Sequence, residues 1–242
     1  MNQFRPTRFE VLPTIVKNLL IINGLLFLAQ NTFAGPTSKF SFEDFLALHA
    51  WQSELFQPWQ LITHMFLHGD LGHIFGNMLA LWMFGSILEN LWGPKRFLLF
   101  YVLCGMGAAV IHLAILSFEL MPLIHQYKEI VTSNYVHDAT YDQFMNYYNK
   151  KVNVATLGAS GAVFGILIAF VYLFPNTYIY IYFLFPIKAK WLGILYFSYE
   201  LIFAIRNSAG DNVARWAHVG GAIVGFVLVY LWSKKERNNR WN

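Results

Sequence analysis

Residues 158-GASGAVFG-165 place a serine among glycines and run directly into 166-ILIAFVYLF-174, a stretch oily enough to lie inside a bilayer. Gly158, Gly161 and Gly165 recur at helical spacing, and small-residue faces of this kind let membrane helices approach closely. Taken alone, the octapeptide reads as a packing face on which the serine is incidental. The alternative is that Ser160 performs chemistry where water is scarce. The rest of the chain decides between them by what it brings to the same depth.

The composition sets the class. Hydrophobic residues make up 57% of the 242 positions and charged residues only 12%, half the roughly 25% usual in soluble domains. Mean hydropathy is +0.43. Several apolar runs reach the length of about 20 residues that spans a hydrocarbon core. Six spans are predicted, over about 12–33, 71–92, 96–117, 156–174, 190–206 and 212–232, so the fold class is an all-α membrane bundle forming a single domain over 1–242. The one cysteine, Cys104, lies within an apolar run, which leaves no disulfide framework inside one chain. The first run follows a basic leader without an A-x-A-like cleavage pattern and reads as a retained span.

Orientation follows the basic residues, which favour the cytoplasmic side. With the N-terminus inside, that side receives Arg5, Arg8, Lys17, Lys95, Arg96, Lys188, Lys190, Lys234, Lys235, Arg237 and Arg240. The outside receives Lys39, Lys128, Lys150, Lys151, Arg206 and Arg215. Six spans return the C-terminus to the cytoplasm beside its own basic tail, SKKERNNR. The net charge of +4 is therefore explained by topology, and nucleic acid is not an expected partner. A bacterial cytoplasmic membrane with both termini cytoplasmic is the expected location.

Two outer segments are long. Residues 34–70 are rich in aromatics (Phe40, Phe42, Phe45, Trp51, Phe56, Trp59) and read as helices lying in the interface. Residues 118–155 are more polar and read as a folded or mobile external loop. Between the fourth and fifth spans, Asn176 to Lys190 alternates aromatic and aliphatic residues, as an interfacial strand or an early start of the fifth helix would. No internal repeat is visible.

Polar residues inside membrane spans are costly and mark functional sites. His73, Ser160 and His218 fall on three spans that run the same way, each within roughly 10 Å of the outer end at 1.5 Å per residue. His73 and Asn77, spaced i, i+4, share a helical face. In 217-AHVGGAIVGF-226, Gly221 and Gly225 form a small face that draws His218 against a neighbour. A serine nucleophile needs a base to accept its proton, and the ensuing intermediate needs donors aimed at its oxyanion. His218 can be the base; the Asn77 amide, His73 and the Ser160 backbone N–H can be the donors. No acidic residue in the spans is expected to orient His218, which makes this a dyad. His64, His68 and His73 as metal ligands lack HExxH and a completing set of carboxylates, and Asp70 has no second aspartate for an aspartyl mechanism.

These residues resemble the rhomboid family of intramembrane serine proteases. The resemblance rests on G-x-S-G at Gly158, Ser160 and Gly161, on His-x-x-x-Asn at His73 and Asn77, and on Ala-His-x-x-Gly-x-x-x-Gly at Ala217, His218, Gly221 and Gly225. It covers about residues 55 to 232. It implies a compact six-helix bundle with the serine opening a short fourth helix below a water-filled cavity. By position it implies Ser160 as nucleophile, His218 as base, and His73 and Asn77 as oxyanion donors. His68 matches a further histidine five residues before His73. Two departures stand out: Trp59-Gln60 replaces the frequent Trp-Arg, whose arginine the resemblance implies as an anchor of the first outer loop. Phe164 replaces a frequent tyrosine, and at i+4 from Ser160 its ring can still pack on His218.

The reaction implied is hydrolysis of a peptide bond in or near a substrate's transmembrane helix, without cofactor or metal. A helix hides its carbonyls in i→i−4 bonds, so the substrate must unwind locally before attack, and small helix-weakening residues are expected near the cut. Substrate is expected to enter past the fifth span, with Trp191, Tyr196, Phe197 and Tyr199 as a gate. Partners are transmembrane proteins and the bilayer; oligomeric state is left open. Two rivals remain: a rhomboid-like pseudoprotease that binds membrane proteins without cutting, and a small transporter. The first is disfavoured by the presence of both serine and histidine, the second by apolar inner halves of the polar spans.

Overall fold

The computed structural model describes residues 9–33, 41–132, 139–181, 185–206 and 214–238. Arg5, Arg8, Lys39 and Arg240 of the charge pattern, Phe40, and the first two residues of the expected sixth span lie outside them. The described chain is helical apart from one hairpin and the connecting segments.

Helix α1 (Thr14–Phe33) begins just after Pro13, and its first amides need acceptors from elsewhere. Glu89 supplies them: its two carboxylate oxygens accept from Ile15 N–H and Val16 N–H at 2.9 and 2.8 Å. A buried negative charge at a helix N-terminus is stabilised by the helix dipole. Two short helices follow in the first outer segment, α2 (Phe42–Leu46) and α3 (Gln60–Thr63). Helix α4 (Leu71–Ala80) is capped by Asp70, whose side chain accepts from His73 N–H at 2.8 Å. It passes through one π-helical stretch, Leu81–Gly85, into α5 (Ser86–Trp92). Gly93, at φ 80°, then turns the chain into α6 (Pro94–Thr132), with proline at the first helical position where its missing N–H costs nothing.

Helix α6 is 39 residues long, so it continues well beyond the expected span of 96–117. Its extension pairs with α7 (Ala139–Val152): Tyr127 stacks on Tyr148 at 4.2 Å, and Ala50, Leu120 and Val152 share a small core. The outer segment 118–155 is thus a helical hairpin where described. Helix α8 (Ser160–Leu173) starts four residues later than the expected span. Thr156 is held extended by an isolated bridge to Leu48, and Gly158 N–H donates to the His64 carbonyl at 2.9 Å. Tertiary pairing with the first outer segment overrides helix formation there.

After α8 comes an antiparallel hairpin, β1 (Tyr178–Ile181) with β2 (Phe185–Lys188), register Tyr178 opposite Lys188. The strand alternative for 176–190 is the one found. Helices α9 (Ala189–Arg206) and α10 (Arg215–Asn238) complete the fold.

The centre is α8. Nine of its residues, from Gly161 to Phe170, are buried, as an apolar helix without a polar face should be. It packs on α10 through glycines. A Cβ on Gly221 would collide with the Gly161 carbonyl, and one on Gly225 would lie 2.6 Å from Gly165 Cα. The two contacts advance together, so α8 and α10 run in the same direction with backbones nearly touching. The main core below this seam gathers Val16, Leu81, Phe97, Phe100, Tyr101, Cys104 and Ile166. Leu28, Leu71, Phe75, Leu195 and Ile205 point outward, which suits contact with lipid tails.

Among the described residues, four helices are long and apolar enough to cross a membrane: Thr14–Phe33, Leu71–Trp92, Pro94–Thr132 and Arg215–Asn238. Helix α8 is apolar but shorter, and α9 carries Lys190, Glu200 and Arg206. The count of six spans therefore rests on two helices outside that set.

Candidate active site

His73, Ser160 and His218 each lie in the first turn of their helix, α4, α8 and α10 respectively. The parallel glycine seam brings two of these turns together. His218 Nε2 lies 2.8 Å from Ser160 Oγ. The other ring nitrogen, Nδ1, lies 3.0 Å from Glu200 Oε2 on α9. A carboxylate can only accept, so Nδ1 carries the hydrogen and donates. Nε2 of the neutral ring then has a free lone pair toward Ser160, whose hydroxyl donates to it. Phe164 lies flat on the imidazole, centroids 4.5 Å apart at 11°, and Tyr196 of α9 packs on Phe164 at 4.9 Å.

His73 stands on the other side of the serine. Gly69 N–H donates to its Nδ1 at 3.4 Å, which leaves Nε2 as a donor. Gly158 separates this nitrogen from Ser160: a Cβ at 158 would lie 2.7 Å from His73 Nε2 and 3.6 Å from Ser160 Oγ. Gly158 also has φ +127°, a conformation suited to glycine. Asn77 is buried, and its amide Nδ2 has no hydrogen-bond partner among the described residues, so it is a donor in want of an acceptor. The N-terminus of α8 adds backbone N–H groups with no side-chain cap. His68 packs edge-on against His73 at 5.1 Å.

The expectation that no acidic residue in the spans reaches His218 is wrong. Glu200 does so, and Arg215 Nη1 lies 3.3 Å from the same oxygen. The signal was present in the sequence: Ala189, Gly193, Glu200 and Ala204, the buried positions of α9, repeat at intervals that keep one helical face. A carboxylate among the small residues of that face has to point inward and find a partner. Gln60 anchors the first outer loop itself. It is fully buried, and its amide donates to the carbonyls of Asp44 and Leu55 at 3.1 and 2.9 Å. Its oxygen accepts from His49 and Gln57 N–H at 3.3 and 3.2 Å. A glutamine thus holds the first outer loop through backbone groups where an arginine is frequent. Among the described residues no group of three His, Cys, Asp or Glu side chains is placed to hold a metal ion, and His64 Nδ1 instead donates to the Gln60 carbonyl at 2.7 Å.

Membrane-length apolar helices, together with a half-buried serine in contact with a buried imidazole, define a helical membrane protein with a serine–histidine pair near its helix starts. The chain belongs to the rhomboid family: the Rhomboid domain matches residues 55–235. It is 29% identical to RHOMBOID-like protein 12, mitochondrial, of Arabidopsis thaliana, over 88% of this chain and 56% of that one. It is 29% identical to Rhomboid protease AarA of Providencia stuartii, over 87% of this chain and 69% of that one. Rhomboid protease GluP of Bacillus subtilis is 26% identical, over 88% of this chain and 34% of that one. The chain spans about half the length of the first curated relatives it matches. These relatives include mitochondrial and bacterial proteins alike, so they do not favour a bacterial membrane.

Proposed function

We propose that the protein is an intramembrane serine endopeptidase of six spans, with both termini on the cytoplasmic side, which hydrolyses peptide bonds in or near transmembrane segments of membrane proteins. The observation that carries this reading is the 2.8 Å contact between Ser160 Oγ and His218 Nε2, at the start of two helices packed along a glycine seam.

Ser160 Oγ attacks the scissile carbonyl carbon while its proton passes to His218 Nε2. The oxyanion is met by His73 Nε2–H, the Asn77 amide and the backbone N–H of Ser160, donors of the type such charge needs. The C–N bond then breaks, and His218 returns the proton to the leaving amine. Water, deprotonated by His218, cleaves the acyl-enzyme and restores Ser160. Substrate passes by α9, where Trp191, Tyr196 and Tyr199 are exposed and Tyr196 touches the ring that backs His218.

Both members of the pair are present and in contact, which speaks against the pseudoprotease. The test is purified protein in detergent with a transmembrane substrate. Ser160→Ala and His218→Ala should each lose cleavage by at least about 10³-fold, the scale of loss when a nucleophile or base is removed. Cleavage by both at the native rate would end this reading. In the same assay, Trp191→Ala with Tyr196→Ala should change the rate on the membrane substrate; an unchanged rate would remove the gate.

A further inference from the structure

Given Ser160 as nucleophile and His218 as base, we propose that Glu200 is a positioning residue of the reaction: its carboxylate fixes the tautomer and rotation of the His218 ring from a neighbouring helix. The distances make the case. One oxygen, Oε2, sits 3.0 Å from His218 Nδ1 and 3.3 Å from Arg215 Nη1, and the residue is 3% exposed. A buried carboxylate that served only to join α9 to α10 through Arg215 would have no need to meet the imidazole. Here it meets the nitrogen opposite the one that faces Ser160.

Two constraints then define the ring. Phe164 sets its plane by stacking, and Glu200 sets its rotation within that plane by accepting the Nδ1 hydrogen. An imidazole that donates from Nδ1 has to present its Nε2 lone pair to the serine, which is the form a base requires. Once Nε2 takes the proton, the imidazolium stands beside a carboxylate already in contact with it, so no group has to move to meet the new charge. Arg215 offsets the charge of Glu200 in the resting state and stacks over Tyr199 and Phe203 at 5.3 and 5.1 Å. That contact keeps the carboxylate's own helix in place. The arrangement is a serine–histidine–glutamate line drawn from α8, α10 and α9. The charged or titratable groups around it are Arg215 on α10, Tyr196 and Tyr199 on α9, His112 on α6 and His73 on α4.

The test separates positioning from structure and from substrate passage. Full-length protein is compared as wild type, Glu200→Gln, Glu200→Ala and Glu200→Asp by three measurements: cleavage kinetics, thermal midpoint, and the rate at which a small fluorophosphonate probe labels Ser160. Glu200→Gln, equal in size, should lower kcat and the labelling rate together, tenfold or more, the scale on which partners behind a functional group act. KM should stay within about twofold and the midpoint within a few degrees. Glu200→Asp, which keeps the charge one methylene short, should fall between Gln and wild type. Should Glu200→Ala unfold, Glu200→Gln carries the result. Labelling of Glu200→Gln within about twofold of wild type overturns the proposal. So does loss of cleavage without loss of labelling, which would assign Glu200 to substrate passage along α9. Ser160→Ala and His218→Ala run beside these variants: their activity would defeat the serine–histidine reading itself, whereas an active Glu200→Gln beside two dead controls defeats only the role of Glu200.

Discussion

Gly158 shows how little room the site has. Its φ of +127° is open to glycine and strained for other residues, and an added Cβ would press on His73 Nε2 at 2.7 Å. Gly158→Ala is therefore expected to cost about 1–3 kcal/mol in backbone strain and to displace His73 from Ser160. Cleavage should drop tenfold or more while the helical content by circular dichroism is unchanged. A variant with native kinetics would show that the space between His73 and Ser160 is not needed. Gln60 illustrates the opposite case, where a different side chain meets the same demand. The outer loop needs its backbone groups satisfied, and one amide with donors and an acceptor does that for four neighbours.

At the scale of elements, the α8–α10 seam sets the distance between Ser160 and His218. Gly161 and Gly165 on one helix meet Gly221 and Gly225 on the other with no space for a methyl group. Gly221→Ala should force the helices apart, cost about 1–3 kcal/mol by overpacking, and lower the thermal midpoint together with activity. Gly24→Ala on α1, where a Cβ meets nothing within 4 Å, is the matched control and should be neutral or mildly stabilising. Equal effects at the two glycines would show that the seam is not close-packed. The sequence made this seam legible, since small residues at i, i+4 on two spans predict a close approach. It made His73, Ser160 and His218 legible as residues of common depth. Helix starts were less legible: tertiary pairing of Leu48 with Thr156, distant in the chain, delays α8 to Ser160, and α6 runs on because α7 packs on its extension.

Across the whole molecule, the first outer segment ties stability to pH. His64 and His68 are buried outside the spanning helices, at 4% and 2% exposure. Burial, the largest influence on each, pushes both down to about 4. For His68 the neighbouring His73 adds to the effect and Asp70 opposes it; for His64 the Gln60 carbonyl opposes it. In the unfolded chain both would titrate near 6.5. A folded value below the unfolded one means that the unfolded state takes up protons first as pH falls. The stabilisation of the neutral rings is thus complete above about pH 6.5 and is lost toward pH 4. The thermal midpoint in detergent should decline through that window, and less steeply in His68→Phe. A midpoint that stays level from pH 7 to 4 would contradict the burial of these rings.

The sequence by itself determined the class, the apolar helices and the three motifs, because hydropathy and helical periodicity are local properties that each segment carries alone. It also held the inward face of α9, on which Glu200 lies among alanines and glycine. Only the tertiary structure decided which partner that carboxylate meets. Its contact with His218 depends on the rotation and depth of α9 against α10, and those are set jointly by Arg215, Tyr199, Phe203 and the glycine seam. A single segment specifies its own faces; which atoms on two faces come within 3.0 Å is settled by packing all the helices at once.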